Sequence, residues 1–527
     1  MKRKDKKNKI DEFLTNTKNH PILTRRDFLA RWGQGIASAS IAIPSLSLSN
    51  SLEEEFSGVE CTNNPDLNMA STVIIDLAGG GHLCGSNFIV SKSANGIQDE
   101  NLDFDYRSLG VNDNTTSGII NSSKIDNSLG ILMHSDSKIL QGIKSVLNPS
   151  GIAADGFSDK VDGAVFCSFN FDDTNTNQLN IGYWICNSGT VGQFGGAVGN
   201  KNTKSGGFSY NPNFLMNSKN LPVPIGGQSS LSKLLQMSRL ANKQSKEDQL
   251  KFINLLEQFN LNGLLQNKNK FSNSLKNRLY CDYKIPKNIL TNFTVEELLL
   301  TSNSKLQSIY SNLGSNINSY SENVMTYANL LLKKYFGVAT IGMSGFDYHD
   351  GTRSTGDAAD RMLGVNIGCL IKSAVEMQEN LVIILITDGG VGINLQQNTI
   401  PTGQLAWAGD RGTNSGAVML VVNGKGGSRP LIKTTSSGQP TRQVGRVSGY
   451  TTSSFFCENI YADLTNHPIT SAGGMGLAAG LFANYLALHG MESQFKEFAG
   501  VDPFDSGGGN NVMDDYIVFD QIFKLGG

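Results

Sequence analysis

Three aspartates stand where apolar runs end. Asp76 follows Thr72-Val73-Ile74-Ile75, Asp388 follows the run Leu381 to Thr387, and Asp347 lies in Gly345-Phe346-Asp347-Tyr348-His349-Asp350-Gly351. In an extended Asp347 to His349 segment, the period of two puts the carboxylate and the imidazole on one side, where a single cation could take both. Carboxylates with an imidazole suit a divalent metal such as zinc, magnesium or calcium. Singly, each aspartate is explained as a helix cap or a turn residue. As a set, Asp76, Asp347, His349 and Asp388 are the candidate metal ligands. His82, Asp350, Asp410 and Arg411 are candidate contacts to an anion or ligand, Arg411 through the paired donors of its guanidinium.

Other chemistries lack their motifs. Gly79-Gly80-Gly81 has Cys84 where a dinucleotide fingerprint needs its third glycine, and no Gly-Lys-Ser/Thr phosphate loop occurs. Gly342-Met343-Ser344-Gly345-Phe346 lacks the last glycine of a serine-hydrolase elbow. The seven cysteines (61, 84, 167, 186, 281, 369 and 457) form no Cys-x-x-Cys pair, so neither a zinc ribbon nor a redox motif is expected. Cys167 and Cys369 read as small buried hydrophobes. His134, His467 and His489 read as structural or exposed.

The elements that would position these residues alternate in type. Thr72 to Leu77 predicts a buried strand entering a glycine loop, the junction at which α/β sheets place ligands. Residues 92–128 are polar and turn-rich. Ser135-Asp136-Ser137 predicts a cap for a helix through Ile139, Leu140, Ile143 and Val146. Val165 to Phe169 predicts a second strand, and Trp184 to about Gly227 a long coil. Residues 229–335 have helical periodicity and read as a helical insertion; Thr294 and Glu297 have capping-box spacing before Leu298. Gly337 to Gly342 predicts a strand leading to Asp347. Leu363, Ile367, Leu370, Ile371 and Ala374 then make one helical stripe. The continuously apolar Leu381 to Ile386 predicts a central parallel strand. After another loop, Trp407 to Thr413 precedes a strand over 417–422, and polar coil over 424–452 and an apolar helix over 475–488 complete the pattern. That helix falls short of the ~20 residues that span a bilayer. The fold class expected is α/β, a mostly parallel central sheet with helices on both faces, in a single domain over 70–527. No internal repeat is evident.

Charge is divided along the chain. The formal net charge of -2 joins a basic start to an acidic remainder, which argues against a nucleic-acid partner, since phosphate binding needs clustered Lys and Arg. Residues 1–52 read as a leader: Thr24-Arg25-Arg26-Asp27-Phe28-Leu29 resembles the twin-arginine export consensus and precedes an apolar stretch from Ile36 to Leu48. The expected partner is the twin-arginine translocase, and the expected location periplasmic or extracellular. No clean Ala-x-Ala site is present near Ser45 to Ser51, so cleavage is left open.

The arginine pair, the first strand with its glycine loop, the His134 segment before a helix, the Gly-Phe-Asp-Tyr-His block and the apolar strand ending at Asp388 occur together in this order. In this the chain resembles the twin-arginine-exported bacterial proteins known as DUF fifteen-oh-one, a family similar to the alkaline phosphatase and sulfatase superfamily. The resemblance implies an alkaline phosphatase-like fold, with Asp76, Asp347, His349 and Asp388 as metal ligands. It also implies a metal-dependent hydrolase acting on small anionic substrates, phosphate or sulfate esters. Two positions depart from the pattern. Gly409-Asp410-Arg411-Gly412 lacks the histidine of the family's Gly-x-Asp-His-Gly block, and Gly389 stands where phosphatases often place histidine. No Cys/Ser-x-Pro-x-Arg motif supplies a nucleophile. The alternative is a non-catalytic envelope or surface protein on a degenerate form of the same fold, with an envelope partner.

Overall fold

The computed structural model describes residues 69–92, 104–111, 119–147, 157–168, 181–190, 192, 197–199, 223–229, 295–346, 353–387, 389–394, 405–426, 429, 432–451, 454–457, 474–500, 502–505 and 511–523. All belong to one compact unit, Gly58–Lys233 with Gly263–Gly527, and the expected leader lies outside the described residues.

The strands in chain order are β1 (Ser71–Leu77), β2 (Ile125–Leu129), β3 (Ile131–His134), β4 (Val161–Ser168), β5 (Ala197–Gly199), β6 (Val223–Pro224), β7 (Val338–Met343), β8 (Asn380–Thr387), β9 (Val391–Asn394), β10 (Ala406–Asn423), β11 (Gln443–Val444), β12 (Val447–Thr451) and β13 (Ser454–Cys457). One sheet runs in the order β11, β4, β10, β8, β1, β7, β5, β6, with β9 paired to β10. Its central pairs β8–β1 and β1–β7 are parallel, as are β7–β5, β5–β6 and β11–β4. β10 runs against both β8 and β4. The chain is thus mixed α/β on a mostly parallel sheet.

Burial explains the order. Every residue of β1, β7 and β8 is buried, which is what continuous Val, Ile and Leu runs achieve only with both faces covered. On one face, Ile74, Ile384, Ile386, Phe166 and Met419 join Trp184, Phe482, Tyr485 and Phe495 in a single core. These aromatics come from α2 (Gly182–Asn187), α7 (Gly474–Ala487) and α8 (Phe495–Ala499). On the other face lie α1 (Lys138–Leu147), α5 (Ser321–Leu332) and α6 (Arg353–Met377), α6 packing on β8 and β10 and α5 on β1 and β7.

α1 and α6 approach backbone to backbone. A Cβ at Gly364 would overlap the Ile139 carbonyl oxygen, and one at Gly142 would overlap the Arg361 carbonyl oxygen. Glycine inside a helix costs about 1 kcal/mol relative to alanine, so these residues are accounted for by the close crossing. Ser137 caps α1 as its sequence suggested, its hydroxyl accepting from Leu140 N at 3.1 Å.

Several expectations change. The coil expected over 184–227 contains α2 and two sheet strands, β5 and β6; these are too short to show alternation and are held by pairing on β7 and on each other. The strand expected over 417–422 begins earlier: the 18-residue β10 takes in Trp407 to Thr413 and crosses from the β9 pairing to the β8 and β4 pairings. Polar coil was expected over 424–452, yet β11 and β12 lie there, their polar residues tolerated in short strands at the sheet margin and in a hairpin. In the region read as a helical insertion, α3 (Val295–Leu298), α4 (Ser304–Ser311) and α5 are helical. Residues 230–294, including Thr294 of the expected capping box, lie outside the described residues.

Candidate functional site

β1 lies between β8 and β7, and its last residues align with theirs. Asp76 is level with Ile386 and Gly342, and Leu77 with Thr387 and Met343. The three carboxyl ends therefore form one edge. Asp76 is wholly buried there. Beyond it, Gly79 and Gly80 both take positive φ, 104° and 112°, a turn that residues with a Cβ adopt poorly. The turn is fastened to the neighbouring strand: Gly81 N donates to Thr387 Oγ1 at 2.8 Å, and Thr387 Oγ1 donates to the Gly389 carbonyl at 2.9 Å. After β7, Ser344 N donates to Tyr320 Oη at 2.7 Å, and Phe346 is buried. Asp347, His349, Asp350 and Asp388 lie outside the described residues, and for Asp410 and Arg411 only the backbone, within β10, is described.

His82 enters a buried polar knot. Its Nδ1 is 3.0 Å from Ser86 Oγ, which also accepts from Arg353 Nη2 at 3.3 Å. Arginine can only donate, so the serine hydroxyl proton is free to face Nδ1, leaving the imidazole proton on Nε2. That atom is buried with no hydrogen-bond partner among the described residues. Burial, with the neighbouring Arg353 charge, holds the imidazole well below its usual pKa and keeps it neutral. Arg353 starts α6. Its guanidinium lies 3.9 Å from the Trp407 ring centre, donates to the Leu405 carbonyl at 2.7 Å and pairs with Asp357 at 2.9 Å.

A second set of bonds fixes the same loop from below. Asn87 Nδ2 donates to the His82 carbonyl and to Asp360 Oδ2, each at 2.8 Å, while Asn87 Oδ1 accepts from Ser137 Oγ at 2.6 Å. The glycine loop is thereby tied to α6 and to the cap of α1. Asp360 is buried, and burial raises its pKa to about 7 against the opposing effects of Asn87 and Arg353.

Sequence spacing gave no sign of one further group. Cys84 from the glycine loop, Cys167 from β4 and Cys457 from β13 place their sulfurs within 4.8 Å of one another, all buried. Cys167 is buried, as expected of a small hydrophobe, and its thiol also has two sulfur neighbours. Local motifs could not reveal this, because the three cysteines are brought together by separate chain segments. The only available signal was that each cysteine adjoins apolar residues. Cys186 and Cys369 are also buried and free, on α2 and α6. His489, read as structural or exposed, is structural: its Nε2 accepts from Ala70 N at 3.0 Å just before β1.

No protein-family profile, curated protein or solved structure matches the chain. Among the described residues, no helix is long and apolar enough to cross a membrane.

Proposed function

We propose that this chain is an exported, metal-dependent hydrolase-like protein acting on phosphate or sulfate esters at the edge where β8, β1 and β7 end. The observation that carries the reading is the adjacency of these three strands, with Asp76 buried at the end of the middle one. Asp388 directly follows the last residue of β8, and Asp347 comes four residues after the end of β7. In open α/β sheets, ligands bind outside the carboxyl ends of the strands.

The donor set is chemically suited to a zinc, magnesium or calcium ion: Asp76, Asp347 and Asp388 supply hard oxygens and His349 a borderline nitrogen. These four residues would hold the ion, which when bound supplies charge stabilisation to the ester oxygens and lowers the pKa of water. The chain's own part is positioning. Thr387 fastens the glycine loop beside Asp76, and the Arg353, His82 and Ser86 knot fixes the far side of that loop. Twin-arginine export would deliver the folded protein to the periplasm or cell exterior, there to meet small anionic esters.

The test uses the purified full chain with aryl phosphate and aryl sulfate esters and each of the three metals. Turnover that depends on one metal, and falls at least 100-fold in Asp347→Ala and Asp388→Ala, is the expected result. Absence of turnover with every metal, while the protein is folded, would favour the non-catalytic envelope protein instead.

A further inference from the structure

The three buried sulfurs are a donor set distinct from the strand-end carboxylates and call for their own explanation. Cys84 Sγ, Cys167 Sγ and Cys457 Sγ lie mutually within 4.8 Å. Bonds of about 2.3 Å to a shared metal put thiolates about 3.8 to 4.0 Å apart in tetrahedral or trigonal arrangements. Closing the present triangle onto one ion takes less than about 1 Å per pair. The segments bearing the sulfurs are also fixed in place. β4 is bonded along its length to β10, and Cys84 is held in the turn where Gly85 N donates to the Phe88 carbonyl at 2.8 Å.

The surroundings are shaped to the sulfurs. Gly416 is the β10 partner of Cys167, and a Cβ there would come within 2.6 Å of Cys84 Sγ. The glycine leaves the space that the sulfur fills. The Cys167 and Cys84 thiols and the Ser168 backbone N–H all bond the Cys457 sulfur. N–H to sulfur bonds of this kind stabilise charge on a metal-bound thiolate.

We propose that Cys84, Cys167 and Cys457 form a buried three-thiolate site for one soft cation, Cu+ or Zn2+. Thiolates select these ions over the hard cations that carboxylates hold. On binding, each cysteine still protonated loses its proton to solvent, one sulfur–metal bond forms per cysteine, and no electron is transferred. Cu+ accepts three sulfurs alone, whereas Zn2+ completes four-coordination with one further donor. Because the site is interior, loading accompanies folding or opening of the glycine loop, and the ion ties that loop to β4 and β13.

The full chain, reduced and stripped of metal under anaerobic conditions, is titrated separately with Cu+ and Zn2+. Thiolate-to-metal absorption and protection of cysteines from a thiol reagent are followed. One equivalent of either ion should protect three thiols. Affinity should fall at least 100-fold in Cys84→Ser and Cys457→Ser, while Cys186→Ser and Cys369→Ser bind as the parent does. If the first two variants do not fold, X-ray absorption on the metal-loaded parent decides: a shell of about three sulfurs supports the site, and an oxygen and nitrogen shell overturns it. Failure of both ions to protect the thiols also overturns it, as does a disulfide between any two of the three. The hydrolase reading is separable, since a cation on carboxylates gives no thiolate absorption and leaves the cysteines reactive.

Discussion

The Arg353 guanidinium lies 3.9 Å from the centre of the Trp407 ring and joins the start of α6 to the start of β10. The stack orients the fork of donors that reaches the Leu405 carbonyl, Ser86 and Asp357. Lysine keeps the charge but not the plane or the fork. Arg353→Lys should therefore lower unfolding free energy by about 2 to 4 kcal/mol, the range for disrupting a buried charged network. Urea unfolding measures it, and a change below about 0.5 kcal/mol would show that the stack does not hold the knot together.

The crossing of α1 and α6 gives a second, purely steric prediction. Alanine at Gly364 would improve helix propensity by about 1 kcal/mol, yet its Cβ would overlap the Ile139 carbonyl oxygen. Backbone cannot yield as a flexible side chain can. Gly364→Ala should destabilise by about 3 kcal/mol, whereas alanine at the unobstructed Gly314 near α5, despite its φ of 53°, should cost less, about 1 kcal/mol. Equal effects at both positions would contradict the close crossing.

What the sequence made legible follows from how local each signal was. Leu381 to Ile386 and Thr72 to Leu77 declare buried strands because the first is apolar throughout and the second is built on the apolar run Val73 to Ile75, and both take central places in the sheet. The Ser137 cap was readable because its partner is three residues away. β5 and β6 were not, since strands of three and two residues carry no periodicity and owe their state to β7. β10 hid its first half because Gly409, Gly412 and Gly416 suggest turns, while pairing with β9 keeps the backbone extended. The same holds for the sites. Asp76 could be placed from a strand end, but the Cys84, Cys167 and Cys457 cluster depends on which strands become neighbours.

Asp360 should give the fold a pH dependence of definite sign. Its pKa in the folded chain is raised to about 7, against about 3.9 for an unfolded aspartate. Between these values the folded state holds the extra proton, so this residue's contribution is fully present below about pH 4 and is lost as pH rises through about 7. Arg353 and Asp357 on its own helix and Asn87 from the glycine loop are the groups that act on it. Asp360→Asn retains an acceptor for Asn87 and removes the titration. The stability difference, variant minus parent, should increase from pH 4 to pH 8 in thermal unfolding scans. A difference that stays constant over that range would place the carboxyl's pKa near its ordinary value.

Thr387 offers the most direct separation of a positioning role from a merely structural one. Its hydroxyl accepts from Gly81 N and donates to the Gly389 carbonyl, bridging the glycine loop and the end of β8 beside Asp76. Thr387→Val keeps the shape but leaves a buried N–H without its acceptor, a loss of about 1 to 3 kcal/mol. Thr387→Ser keeps the hydroxyl and gives up only one methyl, about 1 kcal/mol. If the bridge positions the strand-end site, ester turnover should fall at least 10-fold in the valine variant under conditions where it is fully folded, with kcat changing more than KM, and recover in the serine variant. A valine variant that loses stability but keeps parental kcat would confine Thr387 to holding the fold, because the loop geometry next to Asp76 would then not limit turnover.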